Sequence, residues 1–350
     1  MRSQNGAMPN VRACIKEGPG KVSYAEFAVP DPGPGQVLVR TTLTTICGSD
    51  IHMVDDFDMI PPGMPMGHES VGIVEAVGDG VETLQVGNRI VAACLTSCGS
   101  CERCDDDEPQ VCSGHGAPMN LLFGGQAEAF VLNGADFSSM VIPDSIDDRQ
   151  ALFVSDIMST GFGAIERAGM KEGQTVAIFA QGPVGLCATA AAKTYGAGLV
   201  IAVEGIPARV AMAKRLGADH VVAPENAVDE ILRLTNGRGV DVAVEALGRQ
   251  ATLDSCFAVT RFGGTVSSVG VYGAEGRVSI PLDGSFYHRR FVTTLCPTGR
   301  KRLDYLLRLI GDGRVDLTPM FTHDMAMSDV VRGYDMFRSH ADGVIKIALR

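Results

Sequence analysis

The feature that most limits what this chain can fold into is an alternation that runs from residue 175 to residue 296. Apolar runs at 175–180, 199–204, 220–223 and 240–245 are each followed by an Ala-rich or amphipathic stretch, at 184–195, 207–216, 228–235 and 250–260. Two β-type runs, 264–271 and 291–296, close the series. Parallel strands need a crossover of a dozen or so residues, and strands covered on both faces read as near-continuous apolar runs. The pattern predicts an α/β domain, a doubly wound parallel sheet with helices on both sides.

Before that region the punctuation differs. Short β-type runs at 36–45, 70–77, 89–93 and 127–131 are separated by Gly, Pro and Asp, which reads as a β-rich domain with long loops. After residue 296, helices at 300–310 and 327–339 and a strand at 343–349 are expected to return to that first domain. The chain has 350 residues, more than one hydrophobic core usually spans. The expected boundaries are 1–160 with a lobe near 94–115, 161–297, and 298–350.

A net charge of −11 with no local run of Lys and Arg argues against nucleic acid as a partner. No apolar run approaches the roughly 20 residues of a membrane helix, and no secretory signal is legible, so the expectation is a cytoplasmic protein without a membrane partner. In that compartment ten cysteines point to metal ligands or free thiols more than to disulfides.

Four of them, Cys98, Cys101, Cys104 and Cys112, form CxxCxxCx7C. Four thiolates so spaced in a loop can surround one tetrahedral zinc and leave no position open, which is a structural site. Cys94 breaks the spacing and is expected in the core. Cys47, in ICGSDIH, and the pair His68 and Glu69, in GHES, lie in separate loops. Together they can build a second, open zinc site, although either segment alone reads more readily as ordinary structure.

Residues 180–185 read AQGPVG between a predicted strand and helix. Gly182, Pro183, Val184 and Gly185 bring backbone close to a pyrophosphate at a helix N-terminus, and Glu204, about 20 residues on, suits a ribose 2′-OH. Ala180 stands where the fingerprint has its first Gly. Arg209 is the nearest basic residue that can meet a 2′-phosphate, and the acidic Glu204 favours NAD over NADP.

CGSDIH, GHE, CxxCxxCx7C, GGQAE, the GxxG turn and LCPTGR, in this order and spacing, resemble the medium-chain zinc-dependent alcohol dehydrogenases over nearly the whole chain. The resemblance implies a GroES-like β-rich catalytic domain interrupted by a Rossmann domain. It also implies that Asp156, in VSDIMSTGF, is the third protein ligand of the catalytic zinc beside Cys47 and His68. Glu69 is then a further ligand or a close neighbour. Ser49 and His52 match the family's proton relay. The Asp ligand and the LCP segment are similar to the bacterial tetrameric secondary alcohol dehydrogenases, where Leu295 and Cys296 would line the substrate pocket. The chain departs from those enzymes in carrying all four lobe cysteines.

The implied function is NAD-dependent oxidation of alcohols, secondary ones foremost, to ketones or aldehydes and the reverse reduction. Two zinc ions per chain, a small-molecule substrate and a homo-oligomer, tetramer before dimer, go with it. A polyol or amino-alcohol dehydrogenase like the sorbitol or threonine enzymes is the alternative on the same fold. A dinucleotide-binding protein of the quinone-reductase type, without zinc chemistry, is the alternative of another class.

Overall fold

Six strands pair in parallel in the order His220–Val222, Leu199–Val203, Thr175–Phe179, Val240–Glu245, Thr260–Ser268, Arg290–Thr293. In sequence order this is third, second, first, fourth, fifth, sixth, the doubly wound arrangement, which reverses direction beside the first strand. All six residues of Val240–Glu245 are buried, as a central strand covered on both faces requires. Each Val or Ile enclosed in this way stabilises the fold by about 1.5–3 kcal/mol. Ile178, Val200, Ile201, Val242 and Val244 are all in this state.

A computed structural model describes residues 10–55, 60–114, 121–272, 277–282 and 286–350. The chain separates into two units, Thr160–Leu295 and the remainder, residues up to Ser159 with Cys296–Arg350. Residue 115, at the far edge of the expected lobe, lies outside the described residues. Among those described, no helix is long and apolar enough to cross a membrane.

The other unit is built on a mostly antiparallel sheet in the order Phe321–Met325, Lys346–Leu349, Val37–Thr45, Ser70–Val77, Arg89–Ala92, Ser139–Val141, with Ala129–Leu132 also paired to Val37–Thr45. The C-terminal strand does return to the first domain, with Ala348 opposite Thr45 and Leu349 opposite Thr44. The edge strand Phe321–Met325 is parallel to it and was not legible from periodicity, because its polar residues Thr322, His323 and Asp324 break the apolar run. A separate hairpin joins Asn10–Gly18 to Lys21–Ala28.

Helices finish the architecture where capping residues allow them. Asp147 accepts from the Gln150 N–H at 2.8 Å while the Gln150 side chain accepts from the Asp147 N–H at 3.0 Å, a capping box that starts Asp148–Leu152. Pro183 occupies the first position of the helix Pro183–Thr194, where its missing N–H costs nothing.

Candidate active site and metal centres

The strand Val37–Thr45 ends two residues before Cys47, and the short helix Gly48–Asp55 begins just after it. His68 and Glu69 come from the loop that enters the strand Ser70–Val77. Asp156 (φ −148°, ψ −77°) sits at the break between the turn Phe153–Ser155 and the helix Ile157–Arg167. Residues from three separated stretches of sequence therefore meet at one point. Cys47 Sγ is 3.8 Å from Asp156 Oδ2, and His68 Nε2 is 3.2 Å from the same oxygen. One donor atom each from Cys47, His68, Glu69 and Asp156 falls within 4.8 Å of the others.

These separations fit a metal ion. A nitrogen and an oxygen each about 2.0–2.1 Å from a tetrahedral centre stand about 3.3 Å apart. The electrostatics point the same way. Burial opposes a charge on His68, but Asp50, followed by Asp156, outweighs it and holds the His68 pKa well above its ordinary value. A buried cage of this kind demands a positive charge, which a divalent ion supplies with the imidazole neutral.

Three further residues support the cage. Asp50, in the first turn of its helix, ties the helix start to the metal ligands. Its Oδ2 accepts from the Cys47 N–H at 2.9 Å and from Gln126 Nε2 at 3.0 Å, while Oδ1 is 2.9 Å from His68 Nδ1. Gln126 in turn donates to Thr45 C=O and accepts from Tyr334, both at 2.9 Å. Gln126 lies so close to Gly67 (φ +94°) that a Cβ there would meet its Cγ at 2.4 Å, so only glycine leads the chain into His68. Lys346, fully buried, donates to Glu69 Oε1 at 2.6 Å. Burial alone would neutralise this lysine, yet Glu69 overrides it and raises its pKa. The available signal for Lys346 was a lysine inside the apolar run VIKIAL; Asp50 and Gln126 gave none beyond membership of CGSDIH and GGQAE.

Ser49 Oγ is 3.2 Å from His68 Nε2, and His52 lies three residues along the same helix, half-buried. Cys296 is 5% exposed and its Sγ is 3.6 Å from the Asp156 carbonyl. Leu295 belongs to the other unit, where it is 42% exposed.

The four lobe cysteines converge. Cys101 Sγ is 3.6 Å from Cys104 Sγ and 3.8 Å from Cys112 Sγ, and the Cys112 and Cys98 sulfurs are 3.5 Å apart. Four sulfurs about 2.3 Å from one tetrahedral ion stand about 3.8 Å apart, so the donor set fits zinc with no position left open. N–H groups of Cys98 and Gly114 both donate to Cys112 Sγ at 3.3 Å. The Cys104 backbone bond lowers the Cys101 thiol to about 5, and burial pushes the Cys104 thiol up to about 12.

In the unit Thr160–Leu295, Gly182 precedes Pro183, and a Cβ on Gly185 would meet the Ala180 carbonyl oxygen at 1.9 Å. Gly185 is thus required for the turn to close on itself. Ala180 occupies the left-handed region at φ +71°. Glu204 accepts from the N–H groups of Gln181 at 2.9 Å, Gly205 at 2.8 Å and Ile206 at 3.0 Å. The Arg209 guanidinium is 4.0 Å from Glu204.

Residues 33–144 match the alcohol dehydrogenase GroES-like domain, and residues 183–311 match the zinc-binding dehydrogenase domain. An alcohol dehydrogenase of Cupriavidus necator is 39% identical, covering 97% of this chain and 98% of its own. The chain belongs to the zinc-type alcohol dehydrogenases. This dehydrogenase is also 35% identical to an NADP-dependent isopropanol dehydrogenase of Thermoanaerobacter brockii over 90% of its length and 91% of the relative's. The alcohol dehydrogenase TADH from Thermus sp. ATN1 superposes with a TM-score of 0.88 at 33% identity, covering 97% and 99% of the two chains. The enzyme is a zinc-dependent oxidoreductase acting on alcohols, on a GroES-like domain joined to a Rossmann-type domain.

Proposed function

We propose that this dehydrogenase interconverts secondary alcohols and ketones with NAD, using one zinc held by Cys47, His68 and Asp156 and a second held by Cys98, Cys101, Cys104 and Cys112. The observation that carries the reading is the convergence of the Asp156 carboxylate on Cys47 and His68, at 3.8 and 3.2 Å. Zinc in that set would supply Lewis acidity that makes the substrate hydroxyl a better proton donor.

The chain's own residues supply the rest. Cys47 and Asp156 as anions and His68 as a neutral ligand balance the two charges of zinc, and Lys346 cancels the charge of Glu69, so Glu69 serves as a neighbour of the metal site held aside by its lysine. Ser49 takes the substrate proton through a hydroxyl that can accept and donate, and His52, one turn along the helix, passes it toward solvent. Gly182, Pro183, Val184 and Gly185 receive the pyrophosphate at the helix N-terminus. Glu204 receives the ribose hydroxyls. Arg209, engaged by Glu204, is the group a 2′-phosphate would have to recruit. Leu295 and Cys296 border the substrate.

Support for the secondary-alcohol preference comes from the Asp ligand and from the isopropanol activity named for the Thermoanaerobacter relative. That relative is named for NADP, so the cofactor preference proposed here is the opposite of its own. A cytoplasmic homotetramer completes the reading, and the exposed Phe262 and Tyr287 are apolar surface that self-association would cover. Initial rates on matched primary, secondary and polyhydric alcohols with both cofactors test the proposal. Higher kcat/KM for polyols would transfer it to the sorbitol-like alternative, and sedimentation velocity reads the assembly.

A further inference from the structure

Cys94 is buried, as its place outside the four-cysteine spacing suggested, but its surroundings are not those of an ordinary core thiol. Cys94 Sγ, Cys296 Sγ and a carboxylate oxygen of Asp156 all lie within 4.8 Å of one another. Their exposures are 3%, 5% and 9%. The positions are set by independent elements. The Cys94 N–H donates to Ser155 C=O at 3.0 Å, and its carbonyl accepts from the Leu122 N–H at 2.7 Å, just past the strand Arg89–Ala92. Cys296 is brought in by the segment that re-enters this unit, with Sγ 3.6 Å from the Asp156 carbonyl. Leu95 and Leu121 pack around the two sulfurs.

We propose that Cys94, Cys296 and Asp156 form an additional site for a soft divalent cation, contiguous with the Cys47, His68 and Asp156 site through their shared carboxylate. Two sulfurs and one oxygen in an apolar wall select a thiophilic ion over magnesium or calcium. Carboxylates that serve two metals recur where the ions are about 3.5–4 Å apart. The charges also close. Two divalent ions would face Cys47, Cys94, Cys296 and Asp156, four negative charges against four positive, while Glu69 stays neutralised by Lys346 at 2.6 Å. Entry of the ion releases one proton from each of Cys94 and Cys296 to solvent, and no electron moves.

Cadmium is the probe, because it can be counted apart from the zinc the enzyme already holds. The zinc-loaded enzyme is incubated with equimolar cadmium chloride, freed of unbound ion and analysed for both metals. The expected result is one cadmium gained per chain with no zinc lost, and X-ray absorption at the cadmium edge reporting two sulfur donors with oxygen completing the shell. Cys94→Ser and Cys296→Ser should each abolish the gain, while Cys14→Ser, a buried thiol outside the trio, should keep it. Cadmium appearing only as zinc leaves, four-sulfur coordination, or undiminished uptake in both trio variants would overturn the site. Should a variant lose its zinc through misfolding, the sulfur count in the parent enzyme decides alone.

Discussion

His68 Nδ1 lies 2.9 Å from Asp50 Oδ1, and both side chains are almost entirely excluded from solvent. A carboxylate at this place keeps the proton on Nδ1 and turns the Nε2 lone pair toward Asp156 and Cys47. Asp50→Asn keeps the shape but weakens that hold on the tautomer. Partners of this kind typically contribute 10–100-fold to metal affinity, so the variant should surrender its catalytic zinc to a competing chelator at about that lower chelator strength. Unchanged zinc retention would mean that packing alone orients the ring.

Lys346 and Glu69 form a buried ion pair with side-chain exposures of 0% and 1%. Removing one member of such a pair leaves an uncompensated charge and typically costs about 3–5 kcal/mol. Lys346→Met should therefore destabilise the enzyme by that order in chemical denaturation, and Lys346→Met combined with Glu69→Gln should recover most of the loss. A double variant as unstable as the single one would show that the lysine's volume matters more than its charge.

In the lobe, the Cys101–Cys104, Cys101–Cys112 and Cys112–Cys98 sulfur separations lie between 3.5 and 3.8 Å, so the loss of one ligand should release that ion. Cys101→Ser is expected to bring the metal count from two zinc ions per chain to one, with a lowered thermal midpoint and the remaining ion resistant to dialysis. Loss of both ions together would tie the two centres into one folding unit.

Glu204 accepts three backbone N–H groups and has Arg209 as its charged neighbour. A 2′-phosphate would meet a like charge here, and a penalty of about 2.7 kcal/mol corresponds to about 100-fold selectivity for NAD. Glu204→Ser should shrink that ratio by freeing Arg209, read as kcat/KM with each dinucleotide. A parent enzyme that already favours NADP would refute the assignment of Glu204 as the discriminating residue.

Ala180 holds φ +71°, a conformation that strains any residue with a Cβ by about 1–2 kcal/mol. Glycine relieves the strain but loses about 0.4–1 kcal/mol through the freer unfolded chain. Ala180→Gly should thus raise stability by up to about 1.6 kcal/mol, visible as a higher thermal midpoint with cofactor affinity retained. A fall in the midpoint would show that the alanine methyl makes packing contacts worth more than the strain.

Local chemistry made much of this legible without coordinates. The apolar runs at 175–180, 199–204 and 240–245 became inner strands of the parallel sheet because a strand enclosed on both faces shows little polar side chain to solvent, so its composition betrays it. The four lobe cysteines are within 15 residues of one another, and short chain separations leave a loop few ways to place them except around a common centre. The AQGPVG turn reads from sequence for the same reason, since the conformations of Gly185 and the helix start at Pro183 are local.

The relationships between residues distant in the chain follow from the fold as a whole. Nothing in the neighbours of Asp50 says that a loop 18 residues later delivers His68 to it. Lys346 and Glu69 are 277 residues apart, and Cys94, Asp156 and Cys296 come from three separate stretches. Their partners are set by sheet order and by the return of the C-terminal segment to the first domain. A residue's type limits the bonds it can make, but burial determines which of them it must make, and burial is a property of the whole fold.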